Sequence, residues 1–247
     1  MSIETPAELE KLKAIGGIVA RTLRALSEKV QPGVTTAELD ERCARMLAQC
    51  GARSSPPMVY GFPGSVCTSV NDEVVHGIPG NRVLRSGDLV KLDLTAEKDG
   101  FHADAAITVN VPPASSTGDK LARCAENAFH RALRVARAGN RVNEIGRAVE
   151  REVHRSGFHV VRELCGHGIG RTIHEPPSVP NFPDPLACQL LTEGLVITIE
   201  PIIAAGRGRA ELLPDGWTVR TADGSLAAHY EHTVVITRGE PILLTAA

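Results

Sequence analysis

The chain has 247 residues, of which 43% are hydrophobic, enough to bury a substantial core as one large domain or two modest ones. With 27 basic against 29 acidic residues, its formal net charge of -2 offers no electrostatic footprint for nucleic acid or an anionic membrane. The six cysteines never form a CxxC pair, and no apolar run has the length of a membrane span or the pattern of a signal peptide, so a reducing cytoplasm is the expected setting.

Thr5-Pro6-Ala7-Glu8 predicts a helix start, with Thr5 as cap, Pro6 at the first helical position and Glu8 closing a capping box. Leu9, Leu12, Ile15, Val19, Leu23 and Leu26 then recur at helical spacing, and Gln31-Pro32-Gly33 ends the element. A second helix opens at Thr35 with Glu38 as box partner and Val34 and Leu39 as a hydrophobic staple. It buries Leu39, Cys43, Met46 and Leu47 and stops at Gly51. The Ser-, Pro- and Gly-rich segment from Ala52 to Gly64 is expected to be loop, although it carries two scarce aromatics, Tyr60 and Phe62. Ser65 to Val70 reads as a short strand, and Asn71 to Gly80 as a turn-flanked apolar segment holding His76.

The stretch from Gly87 to Val109 predicts a β-hairpin turning at Asp99-Gly100. Lys91, Asp93 and Thr95 share one face of the first arm, and His102, Asp104, Ala106 and Thr108 share one face of the second. Folding about the turn sets Asp104 opposite or diagonal to Asp93. Two neighbouring buried carboxylates repel and need a positive partner, either a buried Lys or Arg or a metal ion; the plainer alternative is a hairpin whose aspartates face water.

A second pair of helices is expected over Asp119–Ala138, capped by Gly139, and from about Asn143 to Ser156, closed by Gly157. A shift of 106 residues places Gly33 on Gly139, Glu38 on Glu144 and Gly51 on Gly157, and also Ile15 on Leu121 and Leu23 on Phe129. Residues 1–247 thus read as one catalytic domain with internal halves at about 1–112 and 113–247, each two helices followed by strands. The expected fold class is α+β, helices covering one side of a curved, mostly antiparallel sheet, with a site on the sheet face where the halves meet.

The second half contributes His167 among Gly166, Gly168 and Gly170, then His174, then the β-branched run ending in Glu200-Pro201. Ala204 to Asp215 reads as an irregular excursion, and Trp217–Thr221 and Ala227–Thr237 as closing strands, the latter carrying Glu231. Asp93, Asp104, Glu200, Glu231 and His167 hold too much negative charge for one ion but suit two divalent ions about 3.5–4 Å apart. The oxygen-rich set favours Mn, Fe(II) or Co, with Zn also admissible.

Five ordered segments carry a resemblance: Ser69–Pro79 with His76-Gly77; Asp93-Leu94-Thr95 with Asp99–Asp104; Gly166–Arg171 with His174-Glu175-Pro176; Thr198-Ile199-Glu200-Pro201; and Tyr230-Glu231-His232-Thr233. On these the chain resembles the short bacterial type I methionine aminopeptidases of the pita-bread metallopeptidase family, along nearly its whole length. The resemblance implies the pita-bread fold and two divalent ions, Asp93 on one, Asp104 and Glu231 bridging, and His167 with Glu200 on the other. It implies His76 and His174 as non-ligand active-site histidines and Thr95 near the substrate amine; from the chemistry of a water held between two ions, Glu200 is the candidate to receive its proton. Phe62, Cys67 and Trp217 match the family's pocket positions, bounded by His76 and His174, while the other pocket aromatic falls on Val59, one residue before Tyr60. Gly64, Val75 and His229 depart from the common lysine, cysteine and glutamine; His229 reads as an ordinary polar strand residue, or as a group tuning the ligands.

The implied reaction is removal of the N-terminal methionine from nascent or newly released polypeptides with a small second residue. The implied setting is a cytoplasmic monomer with no membrane or specific nucleic-acid partner, open to transient ribosome association. Relatives that cleave before proline share the fold, and a metal-free peptide-binding member would lack these ligands.

Overall fold

The computed structural model describes residues 1–246. Its elements run α1 (Pro6–Ser27), α2 (Thr36–Gln49), β1 (Arg53–Ser54), α3 (Ser55–Tyr60), β2 (Cys67–Val70), β3 (Glu73–Val75), β4 (Leu89–Lys98), β5 (Phe101–Asn110), α4 (Ser116–Leu133) and α5 (Val142–Arg155). They continue through β6 (His159–Val160), β7 (Cys165–Gly168), β8 (Glu175–Pro180), β9 (Val196–Ile199), β10 (Ile202–Ala204), β11 (Ala210–Leu212), β12 (Val219–Thr221), β13 (Ala227–His229), β14 (Glu231–Val235) and β15 (Ile242–Leu243). No described helix is long and apolar enough to cross a membrane.

At α1 the Thr5 hydroxyl accepts the Glu8 N–H as expected, but the Glu8 carboxylate accepts from Glu4 N–H at 2.8 Å, one residue ahead of the anticipated partner. At α2 the full Thr35/Glu38 box forms; Leu39, Cys43 and Leu47 are buried, and Met46 is only half-buried. Helix α4 ends at Leu133, short of Ala138, and the following backbone bonds to segments distant in sequence: Ala138 N–H donates to Thr237 C=O and Gly139 N–H to Leu191 C=O, each at 2.9 Å. The segment expected as loop contains α3, started by Pro56 and Pro57, whose missing N–H groups cost nothing in a first turn, and stopped by Gly61 at φ 75°.

The main sheet has the strand order β1-β4-β5-β14-β9-β7-β8, with β2 on β4 and β15 on β14, every ladder antiparallel. The hairpin β4–β5 turns at Asp99-Gly100, both at positive φ, the left-handed pair a tight hairpin needs. The supposed excursion after Ala204 is itself ordered: β11 pairs with β12, and β12 with β3, which brings the Trp217 segment beside Val75-His76. The closing strand is split at Tyr230, since β13 pairs with β10 in a small sheet while β14 crosses to β5 and β9.

Helices α1 and α2 cover one half of the sheet, packing on Val90, Leu92, Leu94, Ala103 and Ala105. Helices α4 and α5 cover the other, packing on Ile197, Ile199 and Val234. Strand alternation therefore turns Asp93, Thr95, Asp104 and Glu231 to the uncovered face. The two halves share their backbone bonding around the second helix of each pair. Gly33→Leu84, Thr36→Arg82 and Ala37→Gly80 correspond to Gly139→Leu191, Val142→Gln189 and Asn143→Ala187, donors offset by 106 residues and acceptors by 107.

Candidate metal centre and substrate pocket

Strand register assembles the acidic groups. On β5, Ala106 pairs with Asp93 of β4 on one side and Glu231 of β14 on the other, so a single methyl lies between two carboxylate-bearing strands. Asp104, two residues along β5, lies on the same face and diagonal to both. Glu200 follows the end of β9, the next strand, where Asn181 Nδ2 donates to its carbonyl at 2.9 Å. His167 sits on β7, the strand after that, pressed between β8 and β9. A Cβ at Gly166 would lie 2.7 Å from the Thr198 carbonyl oxygen, and one at Gly168 2.2 Å from that of Pro176. The glycines beside the histidine are thus required by backbone approach.

Short hydrogen bonds aim these side chains. Thr95 Oγ1 donates to Asp104 Oδ2 at 2.7 Å, and Thr233 Oγ1 brackets the Asp104 backbone, accepting from its N–H at 2.9 Å and donating to its C=O at 2.8 Å. Thr198 Oγ1 accepts from the His167 N–H at 3.0 Å and donates to Glu200 Oε1 at 2.8 Å. His167 Nδ1 donates to the Gly168 carbonyl at 2.9 Å, which leaves the Nε2 lone pair free, 3.6 Å from Glu200 Oε1.

Burial, reinforced by the other carboxylates, raises the carboxyls of Asp93, Glu200 and Glu231 well above the ordinary range; burial also raises Asp104, against the pull of the Thr95 hydroxyl. No lysine or arginine pairs with Asp93, Asp104, Glu200 or Glu231 among the described residues. Lys91 is buried on the same face, but its Nζ turns to the carbonyls of Asn71 (2.8 Å) and Leu89 (3.4 Å), and burial lowers its pKa to about 7. Meanwhile Asp104 Oδ1 and Glu231 Oε1 are buried with no partner at all. Orphaned carboxylate oxygens are costly unless a cation occupies the space they face. Ligand atoms of Asp104, His167 and Glu231 lie within 4.8 Å of one another, as do those of Glu200, His229 and Glu231. Two triads sharing Glu231 suit two neighbouring divalent ions, and the residues present fit them.

A cavity of about 190 Å³ opens beside this cluster. Its walls include all five acidic and imidazole groups together with Thr95, Phe62, Cys67, Trp217, His76 and His174, so the structure brings every expected site residue to one place. Phe62 and Trp217 meet edge to face at 5.3 Å, forming an apolar wall. His76 follows β3 in a left-handed conformation, φ 57°, uncommon for a residue with a Cβ, and thereby points into the cleft instead of continuing the strand. Burial, and then the His174 imidazole, lowers its pKa; burial, and then His167, does the same for His174.

Two residues take roles that the linear pattern did not indicate. Tyr60, not Val59, lines the cavity: α3 turns Val59 outward, 49% exposed, and brings Tyr60 Oη to 2.6 Å from His174 Nδ1. The rarity of aromatics and the family's pocket position one residue away are the signals that mark Tyr60. His229 is no ordinary strand residue; it is 2% exposed on the cavity floor, 3.4 Å from Glu231 and 3.7 Å from Glu200, and burial pushes its pKa down to about 3.

The model of metallopeptidase family M24 matches residues 10–238. The chain is 45% identical to methionine aminopeptidase 2 of Bacillus subtilis over 247 residues, covering 99% of each. It is 44% identical to the methionine aminopeptidase of Clostridium perfringens over 238 residues, 96% of each. The crystal structure of a methionine aminopeptidase from Thermotoga maritima superimposes with a TM-score of 0.96 at 34% identity, covering 100% of both chains.

Proposed function

Because the chain belongs to metallopeptidase family M24, with the pita-bread fold of its relatives, we propose that it removes the N-terminal methionine from polypeptides whose second residue is small. The observation that carries this reading is the meeting of Asp93, Asp104, His167, Glu200 and Glu231 at one cavity, with two carboxylate oxygens buried and unpartnered. These five residues would hold two divalent ions, Mn, Fe(II) or Co by the oxygen-rich donor set and Zn as a further candidate. Bound there, such ions supply an acidified water and a counter-charge for the oxyanion that develops at a carbonyl.

The chain's own groups do the rest. Phe62, Cys67 and Trp217 enclose an unbranched apolar side chain, and burial keeps the Cys67 thiol neutral at the wall. Thr95 Oγ1 spends its proton on Asp104, so its lone pairs are free to accept from the substrate ammonium. With Nδ1 held by Tyr60, His174 carries its proton on Nε2 and donates it as a hydrogen bond to the scissile carbonyl oxygen. His76, across the cleft, positions the chain beyond the scissile bond and assists the leaving nitrogen. Glu200, aimed into the site by the Thr198 hydroxyl, is the candidate to receive the proton of the attacking water.

The same reading takes residues 1–247 as a single catalytic domain with halves at about 1–112 and 113–247, supported by the offset hydrogen bonds around α2 and α5. It takes the protein as a cytoplasmic monomer acting on nascent or newly released chains, including by transient ribosome association. The test compares Met-Ala and Met-Leu peptides after chelation and after Mn or Co is restored. Met-Ala should be cleaved only with metal and much faster than Met-Leu, and Asp104→Ala and Glu231→Ala should abolish cleavage. Hydrolysis that survives chelation refutes the metal reading; equal rates for the two peptides refute the specificity.

A further inference from the structure

The five acidic and imidazole groups leave one neighbour unexplained. His229 ends β13, and its backbone is doubly clamped: Thr108 Oγ1 donates to its carbonyl at 2.8 Å and accepts its N–H at 2.9 Å. Across the ladder it faces Ile202 of β10. The ring is therefore held in the cavity floor, where neither Nδ1 nor Nε2 has a hydrogen-bond partner. A buried imidazole with both nitrogens unsatisfied is costly, so the arrangement calls for an occupant.

The distances say which kind. Nε2 lies 3.4 Å from Glu231 Oε2 and 3.7 Å from Glu200 Oε2, beyond the 2.7–3.2 Å of an N–H···O hydrogen bond. Two donors at about 2.1 Å from a common ion, separated by an angle between tetrahedral and trigonal, stand about 3.4–3.6 Å apart. The His167 Nε2 to Glu200 Oε1 separation, 3.6 Å, belongs to the same range. Lys91, the other polar group buried on this face, is spoken for by the Asn71 and Leu89 carbonyls and does not fill the gap.

We propose that His229 is a sixth protein donor to the metal centre, its Nε2 completing, with Glu200 and Glu231, a position that otherwise offers only carboxylate oxygens. This deepens the metal reading above and rests on it. A nitrogen donor there raises the relative preference of that position for Co(II), Ni(II) or Zn(II) over Mn(II), since imidazole suits the later ions better than carboxylate does.

The probe is the metal alone, added to chelated full-length protein and to His229→Gln, whose metal-free folding is checked by thermal melting. With enough Co(II) to fill both positions, the proton NMR spectrum of the unaltered protein should show strongly shifted resonances from two coordinated imidazoles, and that of H229Q from one. In calorimetric titrations H229Q should bind Co(II) about 100-fold more weakly and Mn(II) about tenfold or less. One coordinated imidazole in the unaltered protein overturns the proposal even if H229Q does not fold. Equal losses for both ions also overturn it and leave the ring as a carboxylate-positioning group. Failure of the unaltered protein to bind either ion tightly would instead remove the metal reading itself.

Discussion

Replacing Tyr60 with phenylalanine isolates one bond in the site. The contact removed is Oη to His174 Nδ1 at 2.6 Å, while the ring stays packed against the imidazole at 5.7 Å between centroids. Tyr60 is 47% exposed, so folding stability should change by no more than about 0.5 kcal/mol. A neutral hydrogen bond of this kind contributes about 0.5–1.5 kcal/mol, which is about a two- to tenfold loss if it is felt in the transition state. The bond reserves Nδ1 as an acceptor and so keeps the proton of neutral His174 on Nε2. Its loss frees Nδ1 to take a proton, raises the His174 pKa, and moves the acid limb of the rate profile to higher pH. The assay is kcat and KM for Met-Ala peptides from pH 5.5 to 9, with Val59→Ala as control, since Val59 points away from the cavity. The reasoning predicts a fall in kcat with KM little changed for Y60F, and wild-type behaviour for V59A. An unchanged profile for Y60F, or a larger defect in V59A, would show that Tyr60 does not orient the imidazole.

Three other outcomes follow from the same structure. Gly168→Ala would set a Cβ 2.2 Å from the backbone carbonyl oxygen of Pro176, which has no flexible side chain to give way, so it should cost about 1–3 kcal/mol or more in thermal melts and weaken metal binding through the displaced His167. Chelating the metal should lower Tm by about 5–10 °C if the ion was present at about 100 times its Kd, and unchanged melting would mean that the folded state does not hold it. Glu175 pairs with the buried α-ammonium of Met1 at 2.5 Å. Burial pushes that carboxyl up, but the ammonium and the N–H groups of Thr172 and Arg171 together hold it below its usual 4.5. A carboxyl lowered in the folded state stabilises above its unfolded pKa and loses that stabilisation as pH falls through the folded value. Glu175→Gln should therefore destabilise the protein at pH 7, and the gap to the unaltered protein should narrow as pH falls from about 4.5 through the lower folded pKa; a gap that is constant with pH would assign the loss to packing.

Much of this protein is legible along the chain. Helix starts at Thr5 and Thr35 depend on capping groups three residues away, and the hairpin turn at Asp99-Gly100 depends on two adjacent left-handed residues. Such contacts are local, so residue type and spacing suffice to read them. The acidic set is also legible, because charged residues inside β-branched runs break the apolar pattern, and the spacing of Asp93 and Asp104 about a two-residue turn fixes their shared face. What the linear pattern cannot hold is the meeting of groups far apart in sequence. The Tyr60–His174 bond joins residues 114 apart and depends on one and a half turns of helix hidden in a proline-rich stretch. His229 looked like one polar residue in an alternating strand; only the crossing from β13 to β14 at Tyr230 sets its ring beside Glu200 and Glu231 with no partner. Residue chemistry and local spacing thus determined which groups could bind metal and substrate. Tertiary packing decided which of them converge, because a side chain's energy in a crowded interior depends on every neighbour around it, and most of those neighbours come from elsewhere in the chain.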